Sequence, residues 1–280
     1  MTAADPPIPD REAFKTLEHD GWVEVANRYH DAFSPLTRQA IEPLLDAAGV
    51  VSGAHVLDVA CGPGYVAAAA VRRGARASGV DFSTTMVEEA RRRHPGVEFA
   101  EGDAEALAFP DALFDAVSIN FGILHFADPD RALAEARRVL RPGGRLAFTV
   151  WDLPERAVTF GLVLAAIQDG GNPDVPLPAG PPFFRFADPA ESSRSLEAAG
   201  FSAPRVRALP LAWRQPSADA LLEIFLEGGV RTRALLRAQT PDALERIRAA
   251  LRVAVRAYER DGALELPTPA VLSDGLRPAG

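Results

Sequence analysis

Residues 55–65 read HVLDVACGPGY, a short apolar run followed by a turn that contains two glycines. The apolar run is typical of a buried parallel strand, and the alanine-rich residues 66–73 behind the turn predict a helix. A strand, a glycine turn and a helix bring backbone N–H groups and a helix N-terminus to one edge of a sheet, where small ligands bind. This stretch therefore predicts a ligand site in an α/β fold.

The spacing of the turn is compatible with two classes of ligand. Gly62, Gly64 and Ala67 match the dinucleotide fingerprint G-x-G-x-x-A, and Asp81 follows at the distance that this motif requires. Asp58, at the end of the predicted strand, separates the two classes, because its carboxylate would repel a pyrophosphate lying over the turn. A ligand without phosphate that carries an ammonium and a sulfonium would be attracted. The turn therefore favours a cationic ligand over a nicotinamide dinucleotide.

Four markers in the expected order over residues 55–151 connect the chain to a known family. They are the Asp58 strand with its G-x-G turn, acidic residues after the second and third predicted strands, and the phrase L-x-P-G-G-x-L at residues 140–146. With these markers the chain resembles the class I S-adenosylmethionine-dependent methyltransferases, and within them the ubiquinone/menaquinone biosynthesis C-methyltransferases and similar small-molecule enzymes. The resemblance implies in-line methyl transfer from S-adenosyl-L-methionine to a small, partly apolar organic acceptor, leaving S-adenosyl-L-homocysteine.

Acidic residues after two successive strands are the main candidates for holding this cofactor. Asp81 follows the strand predicted over residues 76–80, where a carboxylate can accept both hydroxyls of a ribose. Asp81 could instead cap a helix, but Ser83 is the better cap for the helix predicted over residues 84–94. Asp103 follows the strand predicted over residues 97–100. The resemblance assigns Asp103 to the adenine amino group, although a lone aspartate after a strand is more often a turn residue.

Aromatic and polar residues on both sides of this core complete the predicted cofactor site. The family's W…Y…T pattern, whose tyrosine closes over the cofactor, is matched by Trp22, Tyr29 and Thr37, and core packing of these side chains is the alternative. Asn120 and Phe121 end the strand predicted over 114–119 and are expected at the methionine end. The full set of predicted cofactor-binding residues is Tyr29, Thr37, Asp58, Ala60, Gly62, Gly64, Asp81, Phe82, Met86, Gly102, Asp103, Ala104, Asn120, Phe121 and Gly122.

The predicted fold is α/β, a Rossmann-like doubly wound, mostly parallel seven-stranded sheet with an antiparallel strand near the end. After a loose lead-in over residues 1–15, a helix is expected from residue 20 and another over residues 36–48. Late strands are predicted over residues 206–213 and within 264–272. The corresponding units are an N-terminal helical lid (1–54), a cofactor-binding core (55–151), helical lid insertions over the substrate cleft (152–187 and 215–262), and two segments that complete the sheet (188–214 and 263–280).

A general base is required only if the methyl acceptor must lose a proton. His125 follows the fourth predicted strand, where the acceptor should lie, and imidazole titrates near neutrality. Local capping or packing is the competing role for this histidine. The sequence at 120–123, Asn-Phe-Gly-Ile, lacks the Pro-Pro of enzymes that methylate amines of nucleic acids or protein glutamine. The residues predicted to form an apolar substrate pocket are Trp22, His125, Trp151, Phe183 and Phe184.

Composition excludes several other functions. A net charge of −8 and a pI near 5.2 argue against nucleic acid as a partner. No run of about 18 apolar residues or apolar signal core is present, so no membrane insertion and a cytoplasmic location are expected. Scattered histidines and one cysteine suggest no metal site. Three questions stay open: whether the protein is a monomer or a homodimer, whether it is a catalytically idle cofactor-binding or assembly protein, and whether it is a nicotinamide-dependent dehydrogenase, which Asp58 and Asp103 disfavour.

Overall fold

The computed structural model describes residues 10–279, and a central sheet organises them. In chain order the strands are β1 (His55–Val59), β2 (Arg76–Asp81), β3 (Glu98–Glu101), β4 (Phe114–Asn120), β5 (Leu140–Trp151), β6 (Ser202–Leu209), β7 (Ala212–Gln215), β8 (Glu259–Arg260), β9 (Ala263–Pro267) and β10 (Ala270–Leu276). The central sheet has the order β3-β2-β1-β4-β5-β10-β6, in which β1 to β5 are parallel and β10 is antiparallel to both of its neighbours. The predicted fold class, a mostly parallel seven-stranded sheet with a late antiparallel strand, is confirmed.

The order of the strands fixes where a ligand can bind. β1 pairs with β2 on one side and with β4 on the other, so the direction of the chain across the sheet reverses at β1. In open α/β sheets, ligands bind beyond the carboxyl ends of the strands at such a reversal. Val56, Leu57 and Val59 of β1 are almost completely buried, which explains the uninterrupted apolar run there.

Helices cover the sheet and extend beyond it. In chain order they are α1 (Arg11–Tyr29), α2 (Ser34–Thr37), α3 (Ile41–Ala47), α4 (Tyr65–Arg72), α5 (Thr84–Arg93), α6 (Pro129–Val139), α7 (Val158–Gly170), α8 (Pro189–Ala198), α9 (Ala218–Gly228), α10 (Arg231–Arg237) and α11 (Pro241–Ala254). Ser83 caps α5 as predicted, since its side chain accepts a hydrogen bond from the Met86 N–H.

The N-terminal helix is longer than predicted. Residues 1–9 of the predicted loose lead-in lie outside the described residues, but α1 begins at Arg11 and not near residue 20. Asp10 supplies the missed start signal, because its Oδ1 accepts a hydrogen bond from the Ala13 N–H at 2.9 Å. The single helix predicted over 36–48 is also wrong, since α2, a 3₁₀ turn (Arg38–Ala40) and α3 occupy this region.

The predicted ends of the sheet need correction. The strand predicted over 206–213 is two strands, because Pro210 lacks the N–H that would continue the ladder. β6 stays in the central sheet, whereas β7 joins a small antiparallel sheet in the order β7-β9-β8. The predicted last strand is likewise divided, by Pro267-Thr268-Pro269, into β9 and β10. Parts of segments 188–214 and 263–280 therefore lie outside the central sheet.

The helices of the late part of the chain pack with α1. α7 and α9 both contact α11, α9 contacts α10, and α1 contacts both α9 and the core helix α5. α1 therefore connects the residues 215–262, predicted as an insertion, with the cofactor-binding side of the sheet. Within residues 10–279, no helix combines the length and the hydropathy that crossing a bilayer requires.

Candidate active site

The turn between β1 and α4 has the backbone conformation that its glycines indicate. Ala60, Gly62 and Gly64 all have positive φ angles, of 53°, 50° and 82°. A Cβ atom on Gly64 would lie 2.5 Å from the Phe99 ring, so this glycine is required both by its backbone conformation and by close packing. Gly64 does not line the cleft, and its contribution to a ligand site is to let the turn approach the ligand closely.

Asp81 lies at the end of β2 and accepts two backbone hydrogen bonds. The Gly62 N–H donates to its Oδ2 at 2.8 Å, and the Ser83 N–H donates to its Oδ1 at 2.9 Å. Burial raises the pKa of Asp81 to about 6, although these N–H groups lower it. Each carboxylate oxygen can accept a second hydrogen bond. Asp81 can therefore accept two hydroxyl donors from a ligand in the cleft that it lines.

Asp58 is a second buried carboxyl beside the same cleft. The Ala67 N–H donates to its Oδ2 at 3.2 Å, and the Ser118 hydroxyl donates to its Oδ1 at 3.1 Å. Burial, with a smaller contribution from the charge of Asp81, raises the pKa of Asp58 to about 7, although the hydrogen bonds from Ser118 and Ala67 lower it. Among residues 10–279, neither Asp58 nor Asp81 forms a salt bridge, so a positively charged ligand would relieve an unfavourable pair of buried charges.

Asp103 has a partner that the sequence analysis missed. Its Oδ1 accepts a hydrogen bond from the Glu105 N–H at 2.9 Å, and its Oδ2 pairs with the Lys15 ammonium of α1 at 2.5 Å. Burial lowers the pKa of Lys15, but the hydrogen bond to Asp103 and the charges of Glu105, Asp103 and Glu12 together outweigh it, so the net shift is upward. Asp103 lines the cleft, and Lys15 of α1 lines it beside Asp103.

The three aspartates border one cleft of about 950 Å³. Lys15, Arg38, Cys61 and Tyr65 also line it and were not predicted. Cys61 and Tyr65 belong to the glycine-turn stretch, a signal that could have found them, whereas nothing in the local sequence marks Lys15 or Arg38. Of the predicted cofactor-binding residues, the structure brings together at this cleft Tyr29, Thr37, Asp58, Ala60, Gly62, Asp81, Phe82, Met86, Gly102, Asp103, Ala104, Asn120, Phe121 and Gly122.

The far end of the cleft is shaped by an unusual backbone at the end of β4. Phe121 has a φ of 56°, and its N–H donates to the carbonyl and the hydroxyl oxygen of Thr149. The Thr149 hydroxyl also donates to Asn120 Oδ1 at 2.7 Å, and Asn120 Nδ2 donates to the Thr37 carbonyl at 3.2 Å. A non-glycine residue with positive φ at a strand end is common at ligand sites. The strained turn directs the Phe121 ring onto Trp151, with ring centroids 4.0 Å apart.

A second cavity, of about 480 Å³, adjoins the cleft and has an aromatic lining. Trp22, Trp151, Phe183 and His125 line it, as predicted for a substrate pocket, but Phe184 does not and packs against Phe160 and Phe183 instead. Lining residues that the sequence analysis missed are Phe33, Phe160, Phe225 and Arg231. The cavities share a boundary, called the passage below, and the residues that line both of them there are Trp22, Tyr29, Thr37, Phe121 and His125.

His125 lies in this passage, at the end of a 3₁₀ turn (Ile123–His125). Its Nδ1 is 2.9 Å from Glu18 Oε2, and the Trp22 ring meets its ring edge-on with centroids 4.8 Å apart. The ring is in contact with both cavities and does not cap a helix. Neither Glu18 nor its role beside His125 was predicted.

The remaining histidines lie elsewhere. His30 Nδ1 bonds to the Tyr65 hydroxyl, and His19 places its ring edge-on to Phe82. His55 packs on Phe114, and His94 on Tyr65. Among residues 10–279, no group of three or more His, Cys, Asp and Glu side chains is arranged to hold a metal ion.

The cleft fits S-adenosylmethionine by the chemistry of its side chains. Asp81 has the acceptor capacity that would suit the two hydroxyls of a ribose, Asp103 has an acceptor that would suit an exocyclic amine, and Asp58 is a carboxyl group that would attract a cationic ligand. A Cβ atom on Gly122 would lie 2.5 Å from the Ala60 Cβ, so a residue larger than glycine at position 122 would clash with Ala60. A dinucleotide would place phosphate charge beside Asp58.

Comparisons with known proteins agree with this chemistry. A family model described as "Methyltransferase domain" matches residues 57–148. A demethylmenaquinone methyltransferase of Renibacterium salmoninarum is 42% identical over 125 residues, which cover 45% of this chain and 51% of that protein. A demethylmenaquinone methyltransferase of Thermobifida fusca is 37% identical over 179 residues, which cover 59% of this chain and 75% of that protein. The chain spans about half the length of the first curated relatives that it matches.

Solved structures resemble the fold over a longer part of the chain. Phosphoethanolamine N-methyltransferase 2 of Haemonchus contortus, in complex with phosphomonomethylethanolamine and S-adenosylhomocysteine, superimposes with a TM-score of 0.58. The match covers 95% of this chain and 60% of that chain at 20% sequence identity. At this identity the likeness concerns the fold.

Proposed function

Because this chain belongs to the class I S-adenosylmethionine-dependent methyltransferases, we propose that it transfers a methyl group to a small, partly apolar organic acceptor. The observation that carries the proposal is the passage between the two cavities. The carboxylate-lined cleft is chemically suited to the cofactor, and the aromatic cavity is suited to an apolar acceptor. They meet at Trp22, Tyr29, Thr37, Phe121 and His125.

The residues of this chain would act mainly by alignment and by excluding water. The bound cofactor supplies a methyl group on a positively charged sulfur. In-line displacement then needs the acceptor atom to be held close to that methyl carbon and in line with it. Phe121 is held by its hydrogen bonds to Thr149 and by stacking on Trp151. We expect it to form a rigid wall beside the methyl carbon. Tyr29, whose hydroxyl donates to Thr37 at 3.2 Å, lines both cavities and is half-buried.

We infer an aromatic acceptor, and we take reduced quinones and phenols as its first candidates. Rings from α1, the turn after β4, the end of β5, α7, the segment before α8 and α9 line the second cavity, and flat rings pack well against them. Relatives named demethylmenaquinone methyltransferases point to the same class. The net charge of −8 supports a small-molecule partner and not nucleic acid, and we propose a cytoplasmic location and a monomer or homodimer.

The proposal is tested by incubating the purified protein with S-adenosylmethionine that carries a labelled methyl group. The acceptor panel contains naphthalene-1,4-diols kept reduced, simple phenols, and primary amines as the contrasting class. We expect label in a diol or phenol product detected by mass spectrometry, and none in the amines. Label in amines alone would contradict the acceptor class. Tight S-adenosylhomocysteine binding without transfer to any member of a broad panel would favour the catalytically idle alternative.

A further inference from the structure

Glu18 is a charged side chain with no contact to solvent. It lies on α1, has 0% exposure, and uses its two oxygens for two different partners. Oε2 is 2.9 Å from His125 Nδ1, and Oε1 accepts a hydrogen bond from Arg231 Nε at 2.6 Å. A buried carboxylate is stable only when it is paired in this way. The three residues come from α1, from the turn after β4, and from α10.

Arg231 uses each of its three guanidinium nitrogens in holding this arrangement. Besides Glu18, its guanidinium donates to the Leu124 carbonyl at 2.8 Å and to the Pro181 carbonyl at 3.0 Å. Its Cζ also lies 4.5 Å from the centre of the Phe14 ring. Arg231 is therefore anchored to three separate segments of the chain. Its contacts fix Glu18 relative to the turn that carries His125.

The carboxylate determines which nitrogen of His125 carries the proton. Burial by itself would raise the pKa of Glu18, but His125 and Arg231 bring it below its ordinary value. The ionised Glu18 can only accept a hydrogen bond, so the neutral imidazole carries its proton on Nδ1. Nε2 is then the basic nitrogen, and it has no hydrogen-bond partner among residues 10–279. The side chain of His125 is 15% exposed and lines both cavities.

We propose that Glu18, held by Arg231, positions His125 as the base that removes a proton from the methyl acceptor. This inference rests on the proposed methyl transfer and deepens it, because it requires an acceptor with an ionisable O–H group. His125 Nε2 accepts the O–H proton, and the electron pair of that bond stays on the acceptor. The acceptor oxygen, or a ring carbon conjugated with it, forms the bond to the methyl carbon while the sulfur–carbon bond breaks and leaves its electron pair on sulfur. After methylation at carbon, the hydrogen of that carbon leaves as a proton to water.

Other charged groups share the cleft with His125. Glu18 from α1 contacts the His125 ring through Oε2, and Arg231 from α10 contacts the other oxygen of Glu18. On the cofactor side, the charged groups that line the same cleft as His125 are Lys15, Arg38, Asp58, Asp81, Asp103 and Glu105. The test must therefore change Glu18 without altering these groups.

The first test is NMR of histidine labelled with ¹⁵N in the full-length protein and in Glu18→Gln. We expect wild-type His125, assigned from the spectrum of His125→Asn, to be protonated on Nδ1 in its neutral form. In Glu18→Gln, this preference should be lost. Glu24→Gln is the matched control and should keep it, because Glu24 joins the same two helices through Arg233 and Arg237 without contacting His125. A wild-type ring protonated on Nε2, or an unchanged preference for Nδ1 in Glu18→Gln, would overturn the proposal.

The second test uses turnover of the diol or phenol found active in the acceptor panel. General-base catalysis contributes about 10²- to 10⁴-fold, so His125→Ala and Glu18→Gln should each lower kcat by about 100-fold or more with little change in KM. Both variants should bind S-adenosylhomocysteine as the wild type does. A wild-type protein that does not bind S-adenosylhomocysteine would instead reject the proposed function. Equal kcat in all variants would show that His125 is not the base.

Discussion

Asp81→Ala is expected to weaken S-adenosylhomocysteine binding by about 100-fold or more. The variant loses two charge-assisted hydrogen bonds to ribose hydroxyls, each contributing about 1.5–3 kcal/mol. Asp81 is suited to this function because the Gly62 and Ser83 N–H groups hold its two oxygens in place from one side. Calorimetric titration of the variant with S-adenosylhomocysteine measures the loss.

The matched control is Glu101→Ala. Glu101 is the registered partner of Asp81 on β3, is exposed, and accepts a hydrogen bond from the Thr84 hydroxyl outside the cleft. This variant should bind the ligand as the wild type does. Thermal unfolding of both variants shows whether they are folded at the titration temperature. A folded Asp81→Ala protein with undiminished affinity would contradict the assignment of the ribose site.

Asp58→Asn is expected to stabilise the ligand-free protein while it weakens the binding of S-adenosylmethionine by about tenfold or more. Burial raises the pKa of Asp58 from an ordinary 3.8 to about 7 in the folded protein. The folded state therefore holds this proton more tightly than the unfolded state. The resulting stabilisation is fully present below about pH 4 and is lost as the pH rises through about 7.

This pH dependence of stability predicts a measurable pattern of melting temperatures. At pH 8 the wild type carries an unpaired buried carboxylate, so Asp58→Asn should melt at a higher temperature than the wild type. At about pH 4.5 this advantage should largely disappear, since Asp58 is then protonated. Asp46→Asn removes an exposed carboxylate that pairs with Arg73 and should not be stabilising at pH 8. A wild type that is more stable than Asp58→Asn at pH 8 would show that Asp58 is not a destabilising buried charge.

Much of the cofactor site could be predicted because its residues are local to strand ends. Asp58, Asp81 and Asp103 each follow a strand or end it, and parallel strands bring such residues to one edge of the sheet. The glycine turn is equally local, since Gly64 has both the positive φ and the close contact that its sequence position suggests. Short-range patterns are sufficient for features of this kind.

Glu18 and Arg231 could not be predicted, because their contact depends on how distant helices pack. They are separated by 213 positions, and each resembles an ordinary charged residue of a helix exposed to solvent. Glu18 is completely buried only because α10 and the turn at Leu124 close over it. By contrast, the division of the last strand had a visible signal in Pro267-Thr268-Pro269, since proline cannot donate to a strand ladder.

The central claim is that the cleft over the β1–α4 turn binds S-adenosylmethionine and its product. Calorimetric titration of the wild-type protein with S-adenosylhomocysteine, with NADH as a parallel control, tests it most directly. We predict a dissociation constant on the order of micromolar for S-adenosylhomocysteine and no measurable heat of binding for NADH. Binding of NADH without binding of S-adenosylhomocysteine would contradict the argument from Asp58 and the account built on it.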